Sequence, residues 1–333
     1  MLTAMSYFVT HKTACEFWHG KGSLPSSEKF TTVKYRPVSH GLHVSKSEAC
    51  NICDMLGLSQ EHPIHTAVSR AQDRRPSRFF CPHVLNLDLP RGSFVEVAKG
   101  INVASPELMF VQMAETLSLI ETIQLGYGLC GSYATPTEES TLSDDDAERG
   151  FVRRKPLTTQ KDILRFIDLA SKLRGSRNAL RAARFVRDNS ASPMETKLAL
   201  LLCLPRMLGG YGIPFPVMNA DVFVPSGNYS NAQRTQRRRC DLYWPDARLA
   251  LEYDSDAWHA NDRSRQLDSR RRVRLNSADV FVVTVTKGQL YDANETDVIA
   301  RFVARRLNVR LHSSVKGAMS TRYALRCELL GTK

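Results

Sequence analysis

Three carboxylates, Asp241, Glu252 and Asp254, flank the segment LYWPDARLAL. CDLYW and LALEYD read as the two strands of an antiparallel hairpin around Pro245-Asp246-Ala247-Arg248, and a symmetric register about that turn sets Asp241 opposite Glu252. Period-two alternation sends Leu242, Trp244, Leu249, Leu251 and Tyr253 to one face of the ribbon and Asp241, Glu252 and Asp254 to the other. Directly opposed side chains sit with Cβ atoms about 4.5–5.5 Å apart, where like charges are destabilising. A divalent cation offsets that repulsion, and Mg²⁺ or Mn²⁺ prefers hard oxygen ligands such as these. Arginine offers a structural alternative, because Arg234, Arg237, Arg238 and Arg239 precede the hairpin and could neutralise it as an ion-pair network.

Further groups join this set. Glu195 stands three residues after Ser192 at the head of a helix read from SPMETKLALLLCLPRMLGG and ending before Gly209-Gly210. That position is what a capping box uses, and it would also supply a carboxylate from a helix start. His259 follows Asp254 by five residues and adjoins Trp258. A lone histidine is commonly structural, but here it could serve as a general base or phosphate contact. The run NDRSRQLDSRRRVRLNSA reads as an arginine-rich helix, with Asp268 able to pair with Arg272 at i+4. Its Arg263, Arg270, Arg271 and Arg272, with Arg237 to Arg239 and Lys287, are the candidate phosphate contacts; a merely solvated helix face is the plainer reading for the arginines of that run.

Charge argues for the polyanion. The chain of 333 residues carries a formal +12 and a pI near 9.4. From Ala191 onward 22 basic residues face 14 acidic ones, so most of the excess lies in the last 143 positions, where a nucleic-acid footprint belongs.

The elements that must position these groups fall into two halves. The length fits about two domains. Residues 1–135 read as a mixed α/β scaffold or recognition domain, with helices at HKTACEFWHG and SEACNICDMLG, strands at FTTVKYRPVS, HGLHVSK and SFVEVAKGINVAS, and a helix opened by Ser105-Pro106. The polar, acidic residues 136–156 read as a mobile loop, 157–190 as a helical bridge, and 311–333 as a C-terminal tail. Between them, residues 191–310 read α, β, β, β, α, β, α, and DVFVVTVT has the β-branched run of a strand buried on both faces. The fold class is therefore α/β in both halves.

Glu195, then Asp241, then Glu252-Tyr253-Asp254 resembles the restriction-endonuclease-like PD-(D/E)XK nucleases, and is most similar to the very-short-patch-repair-like branch. Supporting matches over residues 190–310 are Trp244-Pro245, Leu249, Trp258-His259, Asp268, Arg270 to Arg272, and VFVVTVT. The resemblance implies a mixed sheet flanked by helices and a metal-dependent DNA endonuclease, serving phage defence, DNA repair or a mobile element. Asp241, Glu252 and Glu195 would hold Mg²⁺ or Mn²⁺, His259 would act as base or phosphate contact, and Arg271 or a neighbour would hold the transition-state charge. Asp254 replaces the lysine of the usual E-x-K element, as this branch commonly shows, so His259 or Lys287 must activate water. Ser255 stands where many relatives have glycine. The same fold could instead serve an RNase, or a non-catalytic DNA-binding or antitoxin-like regulator. Residues 1–190 loosely resemble abortive-infection antitoxin-like bacterial proteins through HKTACEFWHG, GINVASPELMFVQMA and LGYGLCGSY, which implies a protein partner or homodimer contact there.

Eight scattered cysteines lack the density of a disulfide scaffold and read as reduced thiols. Cys50, Cys53, Cys81 and His83 could in principle assemble a zinc site, although Cys50 and Cys53 read as part of an amphipathic helix. No window reaches the apolar run of a spanning helix, and MLTAMSYFVTHK lacks a signal-peptide pattern, so a cytoplasmic protein without membrane contact is expected.

Overall fold

The computed structural model describes residues 6–20, 31–35, 45–135, 146, 149–225, 235–254, 279–311 and 318–331. The chain divides into two compact units, Met1–Asp188 and Asn189–Lys333. No helix among the described residues is long and apolar enough to cross a membrane.

The first unit is mixed α/β. It holds β1 (Tyr7–Val9), α1 (His11–Gly20), β2 (Thr31–Val33), α2 (Lys46–Leu56), β3 (Ile64–Val68), β4 (Phe80–Val84), β5 (Phe94–Ala98) and β6 (Ile101–Ala104). The helices α3 (Pro106–Met113) and α4 (Leu119–Cys130), the short pair β7 (Tyr133–Ala134) and β8 (Val152–Arg153), and the helices α5 (Gln160–Leu169) and α6 (Ser176–Ala183) complete it. Six strands form one sheet in the order β2-β5-β6-β1-β3-β4. β1 runs parallel to β6 and antiparallel to β3, and β3 runs parallel to β4.

The local signals explain these elements. Ser45 and Glu48 close a capping box at the start of α2, and Gly57 ends it in the left-handed region. The apolar run after Ser105 is two helices, because Ser118 and Glu121 form a fresh capping box inside it. The stretch HGLHVSK, read from sequence as a strand, has residues 40–44 outside the described residues, and its end caps and begins α2. β3 and β4 were not visible in the sequence, since FCPHV carries a proline inside the run. That proline is tolerated because β4 is an edge strand of this sheet among the described residues.

Two boundaries differ from the sequence reading. The helices of residues 157–190 do not form a bridge; they belong to the first unit and pack against α3 and α4. Gly175 is part of that packing: its φ is +85°, and a Cβ there would lie 2.2 Å from the Val111 carbonyl oxygen. Nor is 136–156 all loop. Its described end forms β8, and the buried Arg154 donates to the carbonyls of Tyr133, Trp18 and Gly128, pinning the segment to α1 and α4.

The second unit starts with α7 (Pro193–Cys203), capped by Ser192 with Pro193 in the first turn. β9 (Val217–Pro225), β10 (Thr235–Trp244) and β11 (Leu249–Asp254) follow as an antiparallel meander. β12 (Phe281–Thr286) pairs in parallel with β11, giving the order β12-β11-β10-β9. Three helices follow: α8 (Lys287–Tyr291), α9 (Ala293–Arg306) and α10 (Ala318–Leu330). The arginine-rich segment between β11 and β12 lies outside the described residues.

The last helix corrects the expectation of a tail. α10 packs on α7 and on the turn at Arg206–Leu208, so closely that a Cβ on Gly209 would sit 2.4 Å from the Thr321 carbonyl oxygen. Leu325 and Leu329 are buried, and so is Arg326, whose guanidinium donates to the carbonyls of Leu290 (3.0 Å) and Tyr291 (2.8 Å) and to Thr296 Oγ1 (3.1 Å). Arg322 lies over the Tyr211 ring and pairs with Asp297, which also accepts the Tyr211 hydroxyl proton. Arg326→Ala should cost about 2–4 kcal/mol by orphaning those buried acceptors, read as a lowered urea midpoint. An unchanged midpoint would mean α10 is not part of the cooperative unit.

Candidate functional site

The hairpin has the register that its symmetry requires: Leu242 opposite Leu251, Tyr243 opposite Ala250 and Trp244 opposite Leu249. The turn closes with Arg248 N donating to Pro245 O at 3.0 Å, Arg248 taking a φ of 44°. Leu242, Trp244, Leu249 and Leu251 are buried, each worth about 1.5–3 kcal/mol of transfer free energy, and Trp244 Nε1 donates to Pro214 O. The opposite face is not the acidic face that alternation alone suggests. Near the turn it is apolar, with Ala250 and Val282 buried and Tyr243 packed beside them, and only its far half carries Asp241, Glu252 and Asp254.

Asp241 stands where the β10–β11 ladder ends. Its Oδ2 accepts the Tyr253 peptide N–H at 2.9 Å, so a side chain does what a carbonyl would do in a continuous ladder. Glu252, one step past the last paired residues, lies beside Thr284 of β12 in the parallel register, and Asp254 beside Thr286.

Glu195 comes to this place from the first turn of α7. Its peptide N–H donates to Ser192 Oγ, but its carboxylate does not close the expected capping box; Oε2 accepts instead from Ala191 N at 2.9 Å and from Asn219 Nδ2. Only 7% of Glu195 is exposed. Burial, then the charge of Asp241, pushes its carboxyl up to about 7, against the lowering effect of its three hydrogen bonds. The charge of a strand carboxylate is therefore felt at a helix carboxylate inside the second unit. Asn219, buried in β9 with a φ of 49°, is the orienting residue that sequence reasoning missed. An asparagine inside a strand-like run was its one visible signal.

The described acidic groups are neighbours without being drawn together as tightly as a bound ion requires. Among the described residues, the set of three ligating groups whose donor atoms all lie within 4.8 Å of one another is His65, Cys81 and His83, in the first unit. Cys50 and Cys53 are not part of it. They sit on α2, where Cys50 Sγ donates to Gln60 Oε1, so the four-ligand grouping with Cys81 and His83 is not formed. No protein-family model, curated protein or solved structure is significantly similar to this chain. The site's chemistry must be read from its own atoms.

Of the basic residues singled out, Arg237, Arg238 and Arg239 lie on β10, paired with Phe223, Val222 and Asp221 of β9. Arg237 and Arg239 are exposed, and Arg237 forms an ion pair with Asp221 at 2.8 Å. Lys287 is exposed at the first position of α8. His259, Arg263, Arg270, Arg271 and Arg272 lie outside the described residues.

Proposed function

We propose that the second unit is a metal-dependent nuclease of the restriction-endonuclease-like kind, acting on DNA. One observation carries the reading: a buried helix carboxylate, Glu195, feels the charge of Asp241, which stands where the strand pair opens toward Glu252. Burying one carboxylate near the charge of another is costly, and a bound cation offsets that cost. The element order supports the same reading, since a capped helix precedes an antiparallel meander whose last strand takes a parallel neighbour.

The donor set is all oxygen, which suits Mg²⁺ or Mn²⁺. Asp241, Glu252 and Glu195 would hold the ion, which would polarise the scissile phosphate and lower the pKa of water. Glu195 would lose its proton on loading, and Asn219 fixes its carboxylate meanwhile. Asp254 and His259 are the remaining candidates to orient or deprotonate water. Arg237 to Arg239 and Lys287 are candidates for the DNA backbone, with Arg263 and Arg270 to Arg272.

Cleavage of supercoiled plasmid, single-stranded DNA and RNA with Mg²⁺ or Mn²⁺ tests the proposal, comparing wild type with Asp241→Ala and Glu252→Ala. Loss of cleavage in both variants is expected. A second reading, a non-catalytic DNA-binding regulator, is favoured by the Asp241 carboxylate's bond to Tyr253 N–H. DNA binding with no metal-dependent cutting by wild type would establish it over the first.

A further inference from the structure

We propose that His65, Cys81 and His83 of the first unit form a zinc site with three protein ligands and one coordination position open to solvent. The parallel register of β3 and β4 sets His65 beside Cys81 and Ala67 beside His83, so period-two alternation turns all three side chains to one face of the sheet edge. Each is only half-buried, so an ion can reach them.

The distances suit the metal. Tetrahedral zinc with bonds of about 2.0–2.1 Å to nitrogen and about 2.3 Å to sulfur places N and S roughly 3.6 Å apart and two nitrogens roughly 3.3 Å apart. Cys81 Sγ lies 3.6 Å from His83 Nε2, and His65 Nδ1 lies 2.9 Å from the same nitrogen. The first separation already fits; the second needs an opening of about 0.4 Å. Two ring nitrogens that close share one proton between them, and a cation replaces that proton with a bond to each. The donor set also selects: two imidazoles and a thiolate favour zinc and disfavour Mg²⁺ or Ca²⁺.

The surroundings hold the ligands in place beforehand. The His11 ring stacks on His83 with centroids 3.6 Å apart and planes within 16°, and its Nδ1 is bonded to Thr10 Oγ1 at 3.0 Å. His11 takes a φ of 47° and donates its peptide N–H to Gln112 Oε1. His65 is fixed on both sides of its backbone, donating to Thr13 Oγ1 and accepting from Thr10 N, each at 2.9 Å. Such outer contacts orient metal ligands, and their loss typically weakens binding about 10–100-fold. Three protein ligands and an open place make the arrangement of zinc sites that bind water or substrate, as distinct from closed four-ligand structural sites. This site stands wholly within the first unit and does not depend on the nuclease reading.

Cobalt(II) titration of the full-length chain tests it, with zinc per chain measured by elemental analysis after dialysis. Wild type should show a thiolate-to-cobalt charge-transfer band with intense tetrahedral visible bands that saturate at one equivalent, any cobalt held by the oxygen ligands of the second unit adding no thiolate band. Cys81→Ser should lose the charge-transfer band, His65→Asn should lose stoichiometric zinc, and Glu195→Gln should keep both. A wild-type chain without the thiolate band overturns the proposal whatever the variants do, and so does a band that survives in Cys81→Ser.

Discussion

Asp241→Asn should abolish metal-dependent cleavage while making the metal-free second unit more stable at pH 8. Asparagine keeps an oxygen to accept the Tyr253 peptide N–H, so the end of the hairpin ladder should survive. It removes one anionic ligand, and charge stabilisation by a bound metal is worth several kcal/mol at the transition state. A loss of about 4 kcal/mol corresponds to about 10³ in rate. The stability gain has the opposite origin. At pH 8 Glu195 is ionised in the folded protein, buried and within reach of the Asp241 charge, and this costs folding free energy. Removing that charge should return about 1 kcal/mol at that pH and nothing near pH 4, where Glu195 is already protonated. Single-turnover cleavage and urea unfolding at the two pH values read both effects. A variant that cuts like wild type, or one that is destabilised at pH 8, would show that Asp241 serves the fold and not a reaction.

That pairing of lost activity with gained stability shows which parts of the site the sequence could reveal. The hairpin was legible because register and pleat are set locally: a Pro-Asp-Ala-Arg turn between two apolar strands permits little else. The start of α7 was legible for the same reason, through Ser192 and Pro193. What Glu195 bonds to was not legible, since the partner that pulls it out of the capping box is Asn219, 24 residues away on β9 with a left-handed backbone. α10 was missed because its buried face includes Arg326, which reads as solvent-facing until the carbonyls of Leu290 and Tyr291 are seen to receive it. In the first unit, Cys81 and His83 were singled out, but they were matched to the cysteines of α2. The true neighbour, His65, depends on a parallel pairing of β3 with β4 that no local pattern encodes.

The second large effect concerns pH, and it isolates Glu195. With its carboxyl at about 7 in the folded chain against an ordinary 4.5, Glu195 is protonated in both states below about pH 4.5. Between that pH and about 7 the unfolded chain ionises while the folded one holds its proton. Stability is therefore fully present below the ordinary value and is lost as pH rises through the folded one. The total is on the order of 3 kcal/mol. A cation that needs the ionised carboxylate must displace this proton, so Mn²⁺ affinity should rise about fivefold from pH 6 to pH 7, about tenfold by pH 8, and level off above that. Thermal shift with Mn²⁺ across that range, in a Cys81→Ser background so that only the acidic site responds, measures it. In Glu195→Gln the pH dependence of binding should disappear and the metal-free protein should no longer lose stability between about pH 4.5 and 7. If Mn²⁺ stabilises the parent and the glutamine variant alike at every pH, the proton on Glu195 and the cation do not compete, and the carboxylate that α7 brings to the sheet is a buried cap alone.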